Sequence, residues 1–185
     1  MTNSKQRGLV VDKKAIKRLA VVALLLAIGL VLPFFTMQIK QIGKMLLPMH
    51  IPVILCGILC GYRYGAVLGA VLPILRSLLF SMPQFYPNAV GMMFELAVYG
   101  LVTGILYEKI KDKKGGIFVT LIAAMLSGRI VWGFIRAILS VMAGGAFTLE
   151  LFMAGAFVEA LPGIVLQLVL IPIIVLALKK AKISV

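Results

Sequence analysis

Long apolar runs separated by short polar, glycine-rich or proline-bearing connections dominate this chain, and their lengths set the architecture. Runs cover residues 19–35, 46–61, 64–81, 88–107, 117–142 and 151–178. A helix needs about 20 apolar residues to cross a hydrocarbon core of about 30 Å, and most of these runs come close to or exceed that length. The run 46–61 is the short one, and Pro48 and Pro52 near its start predict a kinked or re-entrant entry. The predicted fold is therefore an all-α membrane protein of six transmembrane helices. A first segment, 1–18, and a last one, 179–185, flank a membrane domain over 19–178.

Composition sharpens this picture. Of the 185 residues, 62% are hydrophobic, and the mean hydropathy is +1.11. A soluble domain of this size cannot bury so much apolar surface, since ordinary chains are nearer half apolar. The net charge of +13 would also suit a nucleic-acid partner, but its distribution argues otherwise. Fourteen basic residues fall in the N-terminal segment, the Gly61–Gly65 turn, the KIKDKKGG loop and the C-terminal segment. Only Lys40 and Lys44 fall on the opposite connections. By the positive-inside rule this predicts both termini in the cytoplasm and localisation to the cell membrane, with the lipid bilayer and not nucleic acid as surroundings. The first run ends in LPFFTMQ, without a small-residue cleavage site, so it reads as a span and not a signal peptide.

The three remaining basic residues, Arg76, Arg129 and Arg136, lie inside spans together with Glu95 and Glu159. Ionisable groups in hydrocarbon are costly and mark functional positions by default. At 1.5 Å per residue, Arg76, Glu95, Arg136 and Glu159 fall roughly 8–12 Å below the outer ends of their spans, and Arg129 about 20 Å. His50 sits near the outer end of the second span. This predicts a pocket opening outward, with Arg129 and Arg136, seven residues apart, on one wall. Three Arg against two Glu leave one positive charge that an anionic ligand would neutralise. The alternative is that these charges only pair helices with one another, and Glu150 could also cancel the excess. Trp132, between the two arginines, is a candidate to stack on ligand; Tyr99 reads as packing, and Phe85 and Tyr86 as an interfacial belt.

Other motifs are structural or absent. Gly57/Gly61, Gly65/Gly69 and Gly100/Gly104 have the small-xxx-small spacing that lets helices approach closely. Ala23 and Ala27 share that spacing in the one span without a buried charge, which leaves it free to face a partner. Cys56 and Cys60 lack the second pair that a metal site needs, so no metal and no cofactor is expected. No phosphate loop, HExxH or nucleophile-elbow motif occurs. Binding and passage, not catalysis, is the expectation. A membrane-embedded enzyme using Glu95 or Glu159, and a ligand-free structural subunit, are the competing classes.

The alanine pair, the sequence LPMHIPV…CG…YG…LP…RSL over 47–78, and FELAVYGLVTGILY over 94–107 resemble the substrate-binding S components of energy-coupling factor (ECF) transporters, over nearly the whole chain. The resemblance implies a six-helix S-component bundle that captures a vitamin from outside. It also implies docking on a transmembrane coupling subunit that carries two ATPase subunits. It places the docking surface on Ala23 and Ala27. It places the ligand site in the outer half, at Glu95, Arg129, Arg136 and Glu159, under a loop holding Lys40 and Lys44. An arginine-rich pocket suits a carboxylate such as pantothenate; a cobalamin-related compound or another vitamin precursor is the alternative.

Overall fold

The computed structural model describes residues 13–36, 46–145 and 147–181, and every regular element among them is helical. Helix α1 is Lys13–Thr36, α2 is His50–Cys60, α3 is Tyr62–Phe80, α4 is Val90–Ile110 and α5 is Gly116–Met142. A short α6, Leu149–Met153, leads through a wide turn, Ala154–Val158, into α7, Leu161–Lys180. Five helical stretches are long and apolar enough to cross a membrane; with their adjoining turns they are Lys13–Phe35, Tyr62–Phe80, Phe85–Ile110, Gly116–Met142 and Leu149–Lys180. The 11-residue α2 is too short to cross by itself. Helix α1 begins six residues before the predicted span, so Lys13, Lys14, Lys17 and Arg18 are helical. The connection holding Lys40 and Lys44 lies outside the described residues.

Helix α4 is the hub: α2, α3 and α5 all pack on it. The glycine pairs make this possible by letting backbones touch. A Cβ added at Gly100 would lie 2.2 Å from the Gly65 backbone, and one at Gly69 2.2 Å from the Leu96 carbonyl. Gly57 faces the Gly100 carbonyl, and Gly104 faces the Tyr62 backbone. Of the three predicted small-residue pairs, Gly57, Gly65, Gly69, Gly100 and Gly104 therefore contribute to one internal crossing of α2 and α3 against α4, while a Cβ added at Gly61 would meet open space. Gly61 forms the corner between α2 and α3 at φ 95°, a conformation that side chains with a Cβ avoid.

The outward faces are apolar. On α5, Ile122, Leu126, Ile130, Phe134 and Ile138 are exposed at four-residue spacing, while Leu121, Ala124, Met125, Gly128 and Arg129 face the bundle. On α7, Val165, Val169, Ile173 and Leu176 are exposed, opposite buried Gly163, Gln167, Ile171 and Val175. Helices that turn continuous apolar faces outward while burying Arg129 and Gln167 have lipid as their solvent. Gly100→Val should therefore break the α3–α4 crossing, costing about 3 kcal/mol or more by overpacking. Thermal unfolding in detergent checks this against the lipid-facing Val67→Leu, which should change little.

Candidate functional site

The buried polar groups meet where α2, α4 and α5 converge. Glu95 on α4 accepts from both sides through one carboxylate oxygen: Arg129 Nη1 lies 3.1 Å away and His50 Nε2 3.3 Å away. All three residues are buried, at 1%, 4% and 1% exposure for Glu95, Arg129 and His50. The His50 ring also sits edge-on to Tyr99 at 4.9 Å. Gly128 makes room for Tyr99, since a Cβ there would lie 2.2 Å from its ring. A lone ion in this interior would carry a desolvation cost of several kcal/mol, so pairing is what allows Glu95 and Arg129 to stay charged.

A second polar contact lies towards the end opposite the basic one. Arg136 Nη1 donates to the Asn88 side-chain oxygen at 3.0 Å, and its guanidinium lies 5.9 Å from the Trp132 ring and 6.0 Å from the Phe147 ring. Tyr86 Oη donates to the Leu139 carbonyl at 2.6 Å. These contacts form a ladder with one cause. Helices α4 and α5 run antiparallel, so Asn88, in the Phe85–Ala89 turn that leads into α4, and Glu95, seven residues on, meet residues seven apart on α5, Arg136 and Arg129. Gly91 lies between the rungs, where an added Cβ would meet the Arg136 stem at 3.2 Å and Trp132 at 3.7 Å.

Aromatic side chains wall this end. Trp132 lies near Phe147 and Phe152, and Phe152 near Phe157, at centroid distances of 6.0–6.4 Å. The helix widens at both sides of this cluster. Ala89 N–H bonds to the Gln84 carbonyl and Glu159 N–H to the Ala154 carbonyl, each five residues back. Such wide turns occur often at functional sites. The second one brings Gly155 against the Trp132 indole.

Several expected site residues fall elsewhere. Arg76 is buried, but donates to the Leu30 carbonyl of α1 and lies against Phe34 and Phe80 at 4.8 and 5.5 Å. It braces α1 against α3 instead of joining Glu95. Glu159 is exposed, because the wide turn rotates it off the buried stripe. Neither of two cavities, a groove between α1, α2 and α7 and a chamber at the opposite, basic end, is lined by Glu95, Arg129 or Arg136. Glu95, Arg129 and His50 are packed on one another, and Arg136 stands apart with Asn88 and Trp132. Among the described residues, no cluster of His, Cys, Asp and Glu could hold a metal, and Cys56 and Cys60 are buried in the α2 core.

The structure adds groups that a census of charges misses. Tyr99, four residues after Glu95, is wholly buried beside Glu95 and Arg129. Gln167 on α7 is equally buried, and neither end of its amide has a partner among the described residues. At 1.5 Å per residue, Arg129 and Gln167 both stand about 20 Å from the basic ends of their helices. The equal seven-residue spacings of Asn88/Glu95 and Arg129/Arg136 were the sequence signal for the ladder.

Five apolar helices around a buried polar cluster define a polytopic membrane protein with an internal polar site. The chain belongs to a known family: the model of the ECF transporter substrate-specific component matches residues 17–175. No curated protein and no solved structure matches the chain. Family membership makes the protein a multi-pass cell-membrane subunit of an ECF importer that binds a small molecule and associates with the ECF module. Such components are transporter subunits and not enzymes.

Replacing Glu95 by Gln should leave the Arg129 charge without its counter-ion and cost about 3–5 kcal/mol. A double variant, Glu95→Leu with Arg129→Met, removes both charges and should be more stable than Glu95→Gln alone. Chemical unfolding of the three proteins in one detergent checks the order. A double variant less stable than the single one would show that the pair does not behave as a coupled unit.

Proposed function

We propose that this chain captures a water-soluble vitamin bearing a carboxylate, with pantothenate as first candidate, at a site built on the α4–α5 ladder. The observation that carries the reading is Arg136, held by Asn88 beside Trp132 and Phe147 in a half-buried position. Of the three arginines within the apolar runs, Arg136 is the one left to meet an anionic ligand. Glu95 already neutralises Arg129, and Arg76 is engaged with α1. A guanidinium flanked by aromatic rings suits a carboxylate bound bidentately on one side and apolar substrate on the other. Tyr99 and Gln167 would supply neutral hydrogen bonds deeper in. The Trp132, Phe147, Phe152 and Phe157 cluster favours a second reading, a vitamin with a flat ring; a cobalamin-related compound is a further candidate.

In this reading the chain crosses the membrane six times, with α2 and the residues before it completing the second crossing. Both termini are cytoplasmic. In support, Arg18, Arg63 and Lys111 line one cavity, and Lys179 lies 5.4 Å from the ring of Tyr107 in the same cavity. Such an end belongs in the cytoplasm by the positive-inside rule. Ala23 and Ala27 lie exposed on α1 and form the docking face for the coupling subunit.

A thermal-shift panel of vitamins on the purified chain tests the reading. Ligand at a thousandfold excess over its Kd should add about 4 kcal/mol of stability. Arg136→Ala should weaken a carboxylate ligand by about 2 kcal/mol, roughly thirtyfold. A flat panel sinks the capture reading, and an unchanged affinity removes Arg136 from it. Ala23→Trp and Ala27→Trp should keep ligand binding but abolish uptake in cells carrying the ECF module; lost binding would refute the assignment of α1 as docking face.

A further inference from the structure

The groove between α1, α2 and α7 has a volume of about 590 Å³ and is lined by apolar side chains alone. It runs from Val21 to Leu32 on α1 and from Leu166 to Leu178 on α7, with Ile51, Leu55 and Leu59 of α2 along its floor. At 1.5 Å per residue those stretches are about 17 Å long, close to one leaflet of a core about 30 Å thick. A groove of this length lined by apolar side chains alone suits a hydrocarbon chain.

Its basic end leads to a different chemistry. A cavity of about 440 Å³ there is lined by Arg18, Tyr62, Arg63, Tyr107 and Lys111, with exposed Glu108 on its rim. Leu59 lines both spaces, and Arg18 and Val21, one turn apart on α1, line one each. Two buried polar atoms in the cavity walls, Arg18 Nε and Tyr107 Oη, have no hydrogen-bond partner among the described residues. Tyr107 itself is 7% exposed.

We propose that groove and cavity together form a site for one anionic phospholipid, its acyl chain along α1, α2 and α7 and its phosphate against Arg18 and Tyr107. The phosphate accepts from Arg18 Nε–H and Tyr107 O–H and is neutralised by the surrounding cations. Basic pockets between membrane helices on the cytoplasmic side hold anionic headgroups for this electrostatic reason. Assignment to the inner leaflet rests on the topology proposed above. The lipid would cover the face beside Ala23 and Ala27, so its presence would govern access to the α1 docking surface.

The test uses the full chain in detergent, incubated with phosphatidylglycerol or phosphatidylcholine of identical chains, or with inorganic phosphate. Native mass spectrometry should show one retained phosphatidylglycerol, and only that lipid should raise the unfolding temperature markedly. Arg18→Gln and Tyr107→Phe should each lower its retention, the former about fivefold. Tyr107→Phe keeps the ring and so guards against misfolding. Leu59→Trp, which fills the junction, should expel the lipid. Equal retention of both lipids, stabilisation by inorganic phosphate alone, or retention unmoved by all three variants overturns the proposal. Absence of any bound lipid also overturns it, leaving the groove to the coupling subunit. Vitamin binding, measured on the same preparations, is independent of these outcomes because Arg136 lies at the opposite end.

Discussion

The contact on which the structure depends is the backbone approach of α3 and α2 to α4. In lipid there is no hydrophobic force to press helices together, so association comes from van der Waals packing and polar pairing. Glycines at 57, 65, 69, 100 and 104 let these helices touch through main-chain atoms. That fixes α4 in the middle of the bundle with Glu95 facing inward. Once Glu95 is buried it needs partners, and the neighbouring helices supply them: His50 from the start of α2 and Arg129 from α5. Close packing therefore places the charge, and the charge then specifies register.

Register is what separates structural from functional groups. Pairing Glu95 with Arg129 aligns Asn88 with Arg136 one heptad further out, and leaves Arg136 beside aromatic rings with an amide, not a carboxylate, for company. One rung of the ladder is neutral and buried, and suits holding the helices together. The other is cationic and half-exposed, and suits meeting a ligand. The wide turns at Phe85–Ala89 and Ala154–Val158 belong to the same end as Arg136, where they shift side chains relative to an uninterrupted helix. Arg76 shows the contrasting use of a buried cation, capping a carbonyl of α1 and stacking on Phe34 and Phe80.

The two ends of the molecule differ accordingly. One end joins aromatic rings to a guanidinium. The basic end gathers arginine, lysine and tyrosine around a cavity that shares Leu59 with an apolar groove. Exposed Ala23 and Ala27 lie on the α1 face that borders the groove.

Sequence by itself determined the class of the protein, because apolar run length, charge asymmetry and small-residue spacing are local properties set by the bilayer. It also identified Glu95, Arg129 and His50 as special, since hydrocarbon penalises an ionisable group wherever it sits. It did not determine which of them meet. Arg76 and Glu95 have similar depths along their helices, yet one braces α1 and the other pairs with Arg129. Glu159 has the depth of a site residue, but a five-residue turn before it directs it outward. Gln167 and Tyr99 were hidden because a neutral side chain leaves no mark in a charge census. Helix rotation and interhelical register decide these matters, and they arise from packing between segments far apart in the chain. One residue's shift along a helix turns a side chain by about 100°, which separates the polar interior from lipid.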